Sequence, residues 1–93
     1  MLAQSPLDLK KVPKKDLDKE ILRLGMIAEL DAVNLYEQLA AMTQNRHMKR
    51  VLLDIAKEEK THAGEFQALL LKIDKEQVKE LKEGEKEVKE LAR

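Results

Sequence analysis

Two long stretches of this chain contain no proline, and each carries an acid in the middle of its apolar face. The first runs from about residue 16 to about residue 43 and is rich in Leu, Ala, Glu, Met and Gln, all strong helix formers. At about 100° per residue, Leu22, Gly25, Met26, Val33, Tyr36 and Ala40 fall on one face, with Glu29 among them. The second runs from about residue 47 to about residue 73. There Met48, Leu52, Ile55, Ala56, Ala63, Phe66, Leu70 and Ile73 share a face, with Glu59 at its centre and His62 beside it. A buried carboxylate is costly unless a cation or strong hydrogen bonds compensate it. Whatever this chain folds into must supply that compensation at three positions.

Each long helix would span roughly 40 Å at ~1.5 Å per residue. Gln44-Asn45-Arg46 reads as a tight connection, so the two should form an antiparallel hairpin. Ile21, Ala28, Leu35, Leu39 and Met42 widen the first apolar surface to about half the circumference, enough for more than one neighbour. Asp74 with Gln77 three residues later resembles a capping box and opens a third helix over about 75–91. Its stripe of Val78, Leu81, Val88 and Leu91 is thin and interrupted by Gly84. It should dock on a helix of its own chain or of a neighbour, the alternative being a solvated tail. Residues 1–14 read as a leader, with a short turn starting at Ser5-Pro6 and Asp8, and Pro13 as punctuation. Asp16 and Asp18 suit a helix start.

Composition removes most other chemistries. With 93 residues the chain has room for one all-α domain, but a single-chain four-helix bundle with long helices needs more. Zero cysteine excludes disulfide scaffolds, thiolate metal sites and cysteine nucleophiles. Eighteen basic and 18 acidic side chains give net charge zero, which argues against a nucleic-acid partner. No apolar run reaches the roughly 18–20 residues of a membrane span, and no secretory signal is visible, so a cytoplasmic protein is expected. With only Tyr36 and Phe66 as aromatics, the core must be aliphatic.

Glu59-Lys60-Thr61-His62 is a Glu-x-x-His sequence, the spacing used by carboxylate-bridged dimetal sites in helical bundles. One turn puts a carboxylate oxygen and an imidazole nitrogen beside the same ion, and a carboxylate can bridge to a second. Oxygen and nitrogen donors without thiolate suit iron, manganese or zinc. A buried salt network is the competing account, but Lys57, Lys60 and Lys72 point off this face. Tyr36 is either core or a phenol that donates a hydrogen bond or coordinates. His47 reads as a turn residue, and Met26, Met42 and Met48 as core filler. Asp31, Glu37 and Asp54 lie away from the stripes, with Glu58 and Glu65 at a border. A full dimetal site takes two Glu and two Glu-x-x-His from four helices; this chain supplies half. Two copies about a two-fold axis would complete both bundle and site, so a ferritin-like four-helix bundle should form only on dimerisation, with two metal ions per dimer interface.

The stretch Ile27-Ala28-Glu29-Leu30-Asp31-Ala32-Val33-Asn34-Leu35-Tyr36-Glu37, together with Asp54-Ile55-Ala56-Lys57-Glu58-Glu59-Lys60-Thr61-His62, resembles the encapsulated ferritins over roughly residues 16–91. The resemblance implies a metal-dependent homodimer within a decameric ring. It also implies a ferroxidase centre at the dimer interface that oxidises Fe²⁺ with dioxygen, and an encapsulin shell that stores the mineral. Glu29, Glu59 and His62 would then be the iron ligands and Tyr36 a nearby site residue. Asp31 and Glu58 match acidic positions that attract incoming metal. Leu35 stands where members often carry an aromatic, and Ala28 where some carry an acid. After Lys89 no shell-targeting tail is recognisable, so either a trimmed end or natural fusion to a shell protein is expected. Two other functions compete: a rubrerythrin-like di-iron peroxidase, and a structural helical oligomer stabilised by metal.

Overall fold

In a computed structural model, residues 8–92 of the chain are described, and among them there are three α-helices, a 3-10 turn and no strand. Helix α1 is Lys14–Met42, α2 is Arg46–Ile73 and α3 is Lys75–Leu91. The fold class is therefore all-α, as the hydrophobic period requires. α1 starts two residues earlier than Asp16 because Pro13, which cannot itself continue a helix backward, stands directly before its first residue; the Pro13 carbonyl accepts from the Asp16 N–H at 2.9 Å. The connection is Thr43-Gln44-Asn45, and Arg46 already belongs to α2. Asn45 caps α2, its Oδ1 accepting from the Met48 N–H at 3.0 Å. Ser5 and Pro6 lie outside the described residues; the turn that is described is Leu9–Lys11, capped by Asp8.

The α1–α2 contact is a seam with a seven-residue repeat. Val33 and Ala40 are buried on α1, and Ala56, Ala63 and Leu70 on α2. Small alanines let the two backbones approach closely. The alternate seam positions, three residues on, are Glu29 and Tyr36 on α1 and Glu59 and Phe66 on α2. The hairpin thus fills the seam with hydrocarbon except at Glu29 and Glu59, which interrupt it on facing helices. Met48 and Ile73, expected on the core stripe, are 53% and 46% exposed, because they lie near the two ends of α2 where the seam runs out.

Among the described residues, helix α3 is held mainly at its start. Gln77 and Val78 are half-buried, and every described residue from Lys79 onward is exposed. Asp74 makes the attachment. It closes α2, its Oδ1 accepts from the Gln77 N–H at 3.0 Å, and its Oδ2 meets Arg23 Nη2 of α1 at 2.8 Å. Hydrogen bonding from the Gln77 N–H, helped by Arg23 and Lys19 against the opposing effect of burial, holds the Asp74 carboxyl below its ordinary value of 3.8. A lowered folded value means that this attachment is at full strength above the ordinary value and is lost as pH falls through the folded one. Asp74→Ala should quicken amide exchange in the first turn of α3 severalfold while leaving α1 and α2 unchanged. Wild type should show the same pattern only below about pH 4.

The outline is extended in two directions and thin in the third. Its extents are 47 × 43 × 22 Å and its radius of gyration is 16.6 Å, against about 12 Å for a compact chain of this length. The accessible surface is 7799 Å², against about 5500 Å² for a compact 10.7 kDa monomer. Large apolar side chains contribute to it: Ile21, Leu35 and Leu39 of α1 and Val51 and Leu69 of α2 are all exposed. No helix of the described residues is long and apolar enough to cross a membrane.

Candidate metal centre

Glu29 reaches the seam from α1, and Glu59 and His62 reach it from α2, one turn apart. Antiparallel pairing brings these two turns level. One ligand atom from each residue lies within 4.8 Å of the other two. His62 Nδ1 is 3.4 Å from Glu29 Oε2 and 3.4 Å from Glu59 Oε2. Both carboxylates are largely covered, at 21% and 20% side-chain exposure, whereas His62 is 45% exposed. The cluster is therefore sealed by the hairpin on one side and open on the other. By helical position, the open side is the flank that carries Ile21, Leu35 and Leu39 on α1 and Val51 and Leu69 on α2.

The spacing of these donors suits a shared ion better than a hydrogen-bonded pair. A charge-assisted N–H···O bond closes to about 2.7–2.9 Å. Donors each ~2.1 Å from one ion stand about 3.0–3.4 Å apart in octahedral or tetrahedral order. Glu29 Oε2 is buried and accepts no hydrogen bond, an arrangement that costs free energy unless a cation meets it. Two carboxylates and an imidazole form a hard-to-intermediate donor set, which fits Fe²⁺, Mn²⁺ or Zn²⁺. Lys60, next to Glu59 in sequence, does not serve a competing salt network: its exposed Nζ pairs with Glu37 Oε2 at 3.2 Å.

The other residues singled out in the sequence lie outside this cluster. Tyr36 is half-buried on the α1 seam, two turns beyond Glu29. Asp31, which the helical wheel puts away from the stripes, is half-buried, and Glu58 is exposed. Neither acid is among the clustered donors. One residue that the reading of motifs passed over is Gly25, treated there as another small residue of the stripe; the Phe66 ring lies against its backbone.

A family model described as rubrerythrin matches residues 20–93. The crystal structure of an encapsulated ferritin domain from Pyrococcus furiosus superposes with a TM-score of 0.83 at 53% identity, covering 98% of this chain and 95% of that one. A ferritin-like–encapsulin shell fusion protein of Pyrococcus furiosus is 62% identical over 72 residues, which is 77% of this chain and 21% of its own length. The encapsulin nanocompartment cargo protein EncC of Myxococcus xanthus is 40% identical over 76 residues, or 78% of this chain and 58% of its own. The chain thus spans about a fifth of the first of these two relatives and under two thirds of the second.

Proposed function

The chain belongs to the rubrerythrin family, among its encapsulated-ferritin members, and on that premise we propose that it is a ferroxidase, oxidising Fe²⁺ to Fe³⁺ with dioxygen for storage by an encapsulin shell. The observation that carries the reading is the Glu29–Glu59–His62 cluster, three metal-ligating side chains interrupting an apolar seam around a buried oxygen that accepts no hydrogen bond. Iron is the substrate and supplies the electrons. Glu29 and Glu59 supply negative charge, which holds Fe³⁺ more firmly than Fe²⁺ and so favours oxidation. His62 would supply a nitrogen donor and, being half-exposed, forms the open edge of the cluster. A second copy on that edge would bring its own three donors, giving four carboxylates and two imidazoles for two ions. The exposed apolar flank beside His62 supports such a pairing, and Glu59 is the carboxylate suited to bridging.

Tyr36 is assigned to the rim of the site, and Asp31 and Glu58 to drawing cations toward it. Assembly beyond the dimer, as a ring of ten, fits the exposure of Leu81, Val88 and Leu91, an apolar stripe that the hairpin leaves uncovered. Residence inside an encapsulin compartment rests on the relatives whose names describe a shell fusion and a shell cargo.

A second reading, a peroxide-reducing domain, is favoured by the match to a rubrerythrin model. The two separate when Fe²⁺-loaded protein meets equal concentrations of dioxygen and of hydrogen peroxide, with Fe³⁺ absorbance followed over time. Faster oxidation by dioxygen than by the protein-free control, lost in Glu29→Ala and His62→Ala, is expected. Oxidation by peroxide alone would favour the second reading. Metal-dependent assembly without iron turnover would leave only a structural role.

A further inference from the structure

Three glycines occur in this chain, all within helices, and none adopts a positive φ. None is therefore required by its backbone conformation, and each weakens its helix by about 1 kcal/mol relative to alanine. Gly64 and Gly84 have open space where a Cβ would stand. Gly25 does not. A Cβ there would lie 2.8 Å from Phe66 Cε1 and 2.9 Å from both Cδ1 and Cζ, inside contact distance along a whole edge of the ring. The ring thus occupies the volume that any other residue at position 25 would need.

The place of this contact gives it a consequence. Gly25 is one turn before Glu29 on α1, and Phe66 is one turn after His62 on α2. In an antiparallel pair, four residues down one helix match four residues up the other. Gly25–Phe66 is therefore the neighbouring rung to Glu29–His62, on the same seam and in the same register. An aromatic ring resting on bare backbone fixes two quantities at once: the separation of the helix axes and their relative slide. Ala40, Ala56 and Ala63 elsewhere on the seam let the backbones approach, but their side chains are too short to fix the slide between the helices. We infer that Gly25 and Phe66 are a positioning pair that sets the spacing between Glu29 and the Glu59–His62 turn, so that the three donors can share one ion. This rests on the proposed metal centre. It adds that the geometry of the centre is held from one turn below it, by residues that never touch the ion.

The test uses Gly25→Ala, the double variant Gly25→Ala/Phe66→Leu, and Gly64→Ala as a helix-matched control, each read in two ways. First, crystal structures of the metal-free chains give the Glu29–His62 spacing. Second, Co²⁺ titration by visible absorbance gives affinity and stoichiometry. Gly25→Ala is expected to widen the spacing and weaken Co²⁺ binding by about tenfold, in the range seen when residues that buttress metal ligands are changed. Phe66→Leu removes the ring edge, so the double variant should recover most of both. Gly64→Ala should bind Co²⁺ like wild type and melt higher. If Gly25→Ala leaves spacing and affinity unchanged, or lowers only the melting temperature, the pair is merely structural and the inference is overturned. If wild type binds no Co²⁺, the proposed metal centre falls, while the metal-free spacing still decides whether the pair positions the two turns.

Discussion

Glu59→Leu is expected to eliminate iron oxidation and, in the same molecule, to raise the melting temperature of the metal-free chain. The two effects share one cause. Glu59 is four-fifths covered on a seam whose other positions are mostly hydrocarbon, and its nearest ionic contact, His62 Nδ1 at 3.4 Å, is too long for a strong hydrogen bond. Without a cation, that carboxylate is desolvated and poorly compensated. Leucine at this position continues the α2 seam between Ala56 and Ala63 and removes the penalty. A gain of about 1 kcal/mol follows, equivalent to roughly 4–8 °C in a domain of this size. On the functional side, losing a direct ligand should exceed the 10–100-fold losses typical of residues behind the ligands, so a fall of more than about a hundredfold is expected. Melting in chelator by circular dichroism, with Fe³⁺ absorbance in air on the same preparation, reads both. A variant that oxidises iron at the wild-type rate would remove Glu59 from the site. One that melts lower would mean that its carboxylate is already compensated without metal.

The same opposition would make the candidate site legible in the sequence. A residue that lowers the stability of the metal-free chain breaks the hydrophobic pattern, and Glu29, Glu59 and His62 broke it on facing helices. The hairpin was equally open to reading, since proline is absent from both long segments, Asn45 and Asp74 provide caps and the link is three residues long. A helical wheel gives the face on which a residue lies, and it gives nothing about depth or register between helices. That is why Gly25 reads in the sequence only as one residue of the apolar face: its contact depends on which α2 residue stands opposite, and only the folded hairpin brings Phe66 there. Asp31 shows the same limit, lying off the apolar stripe by angle and half-buried in the fold.

The third helix was legible as a helix and not as a direction. Its Lys/Glu-rich sequence and the Asp74–Gln77 cap are local properties, and they fixed its bounds at Lys75–Leu91. Whether it would lie along the hairpin or leave it depends on long-range contacts such as Arg23 to Asp74, separated by 51 residues. Local pattern carries no signal for such a pair. The outcome leaves Leu81, Val88 and Leu91 exposed.

Adding a divalent metal should convert this chain from a metal-free monomer to a dimer or larger assembly, at one ion per chain. The surface supports this direction. The chain exposes roughly 2300 Å² more than a compact monomer of its mass, and a stable interface takes only about 800 Å² from each partner. Apolar area alone does not guarantee association, because the same flank carries the open edge of the Glu29–Glu59–His62 cluster. Bringing two such clusters together puts four carboxylates near a two-fold axis, and their repulsion opposes the hydrophobic gain until cations arrive. On the proposed pairing metal would act as the switch: ions bound only by the paired form would stabilise it by about 2.7 kcal/mol at a hundredfold excess over the dissociation constant. Light scattering in chelator and then with anaerobic Fe²⁺ or Co²⁺ should show the mass at least double, at one ion per chain. His62→Ala should blunt the shift. Two ions per monomer would mean that each chain holds a complete centre by itself. An unchanged mass on adding metal would mean that the apolar flank, and not the ion, decides assembly.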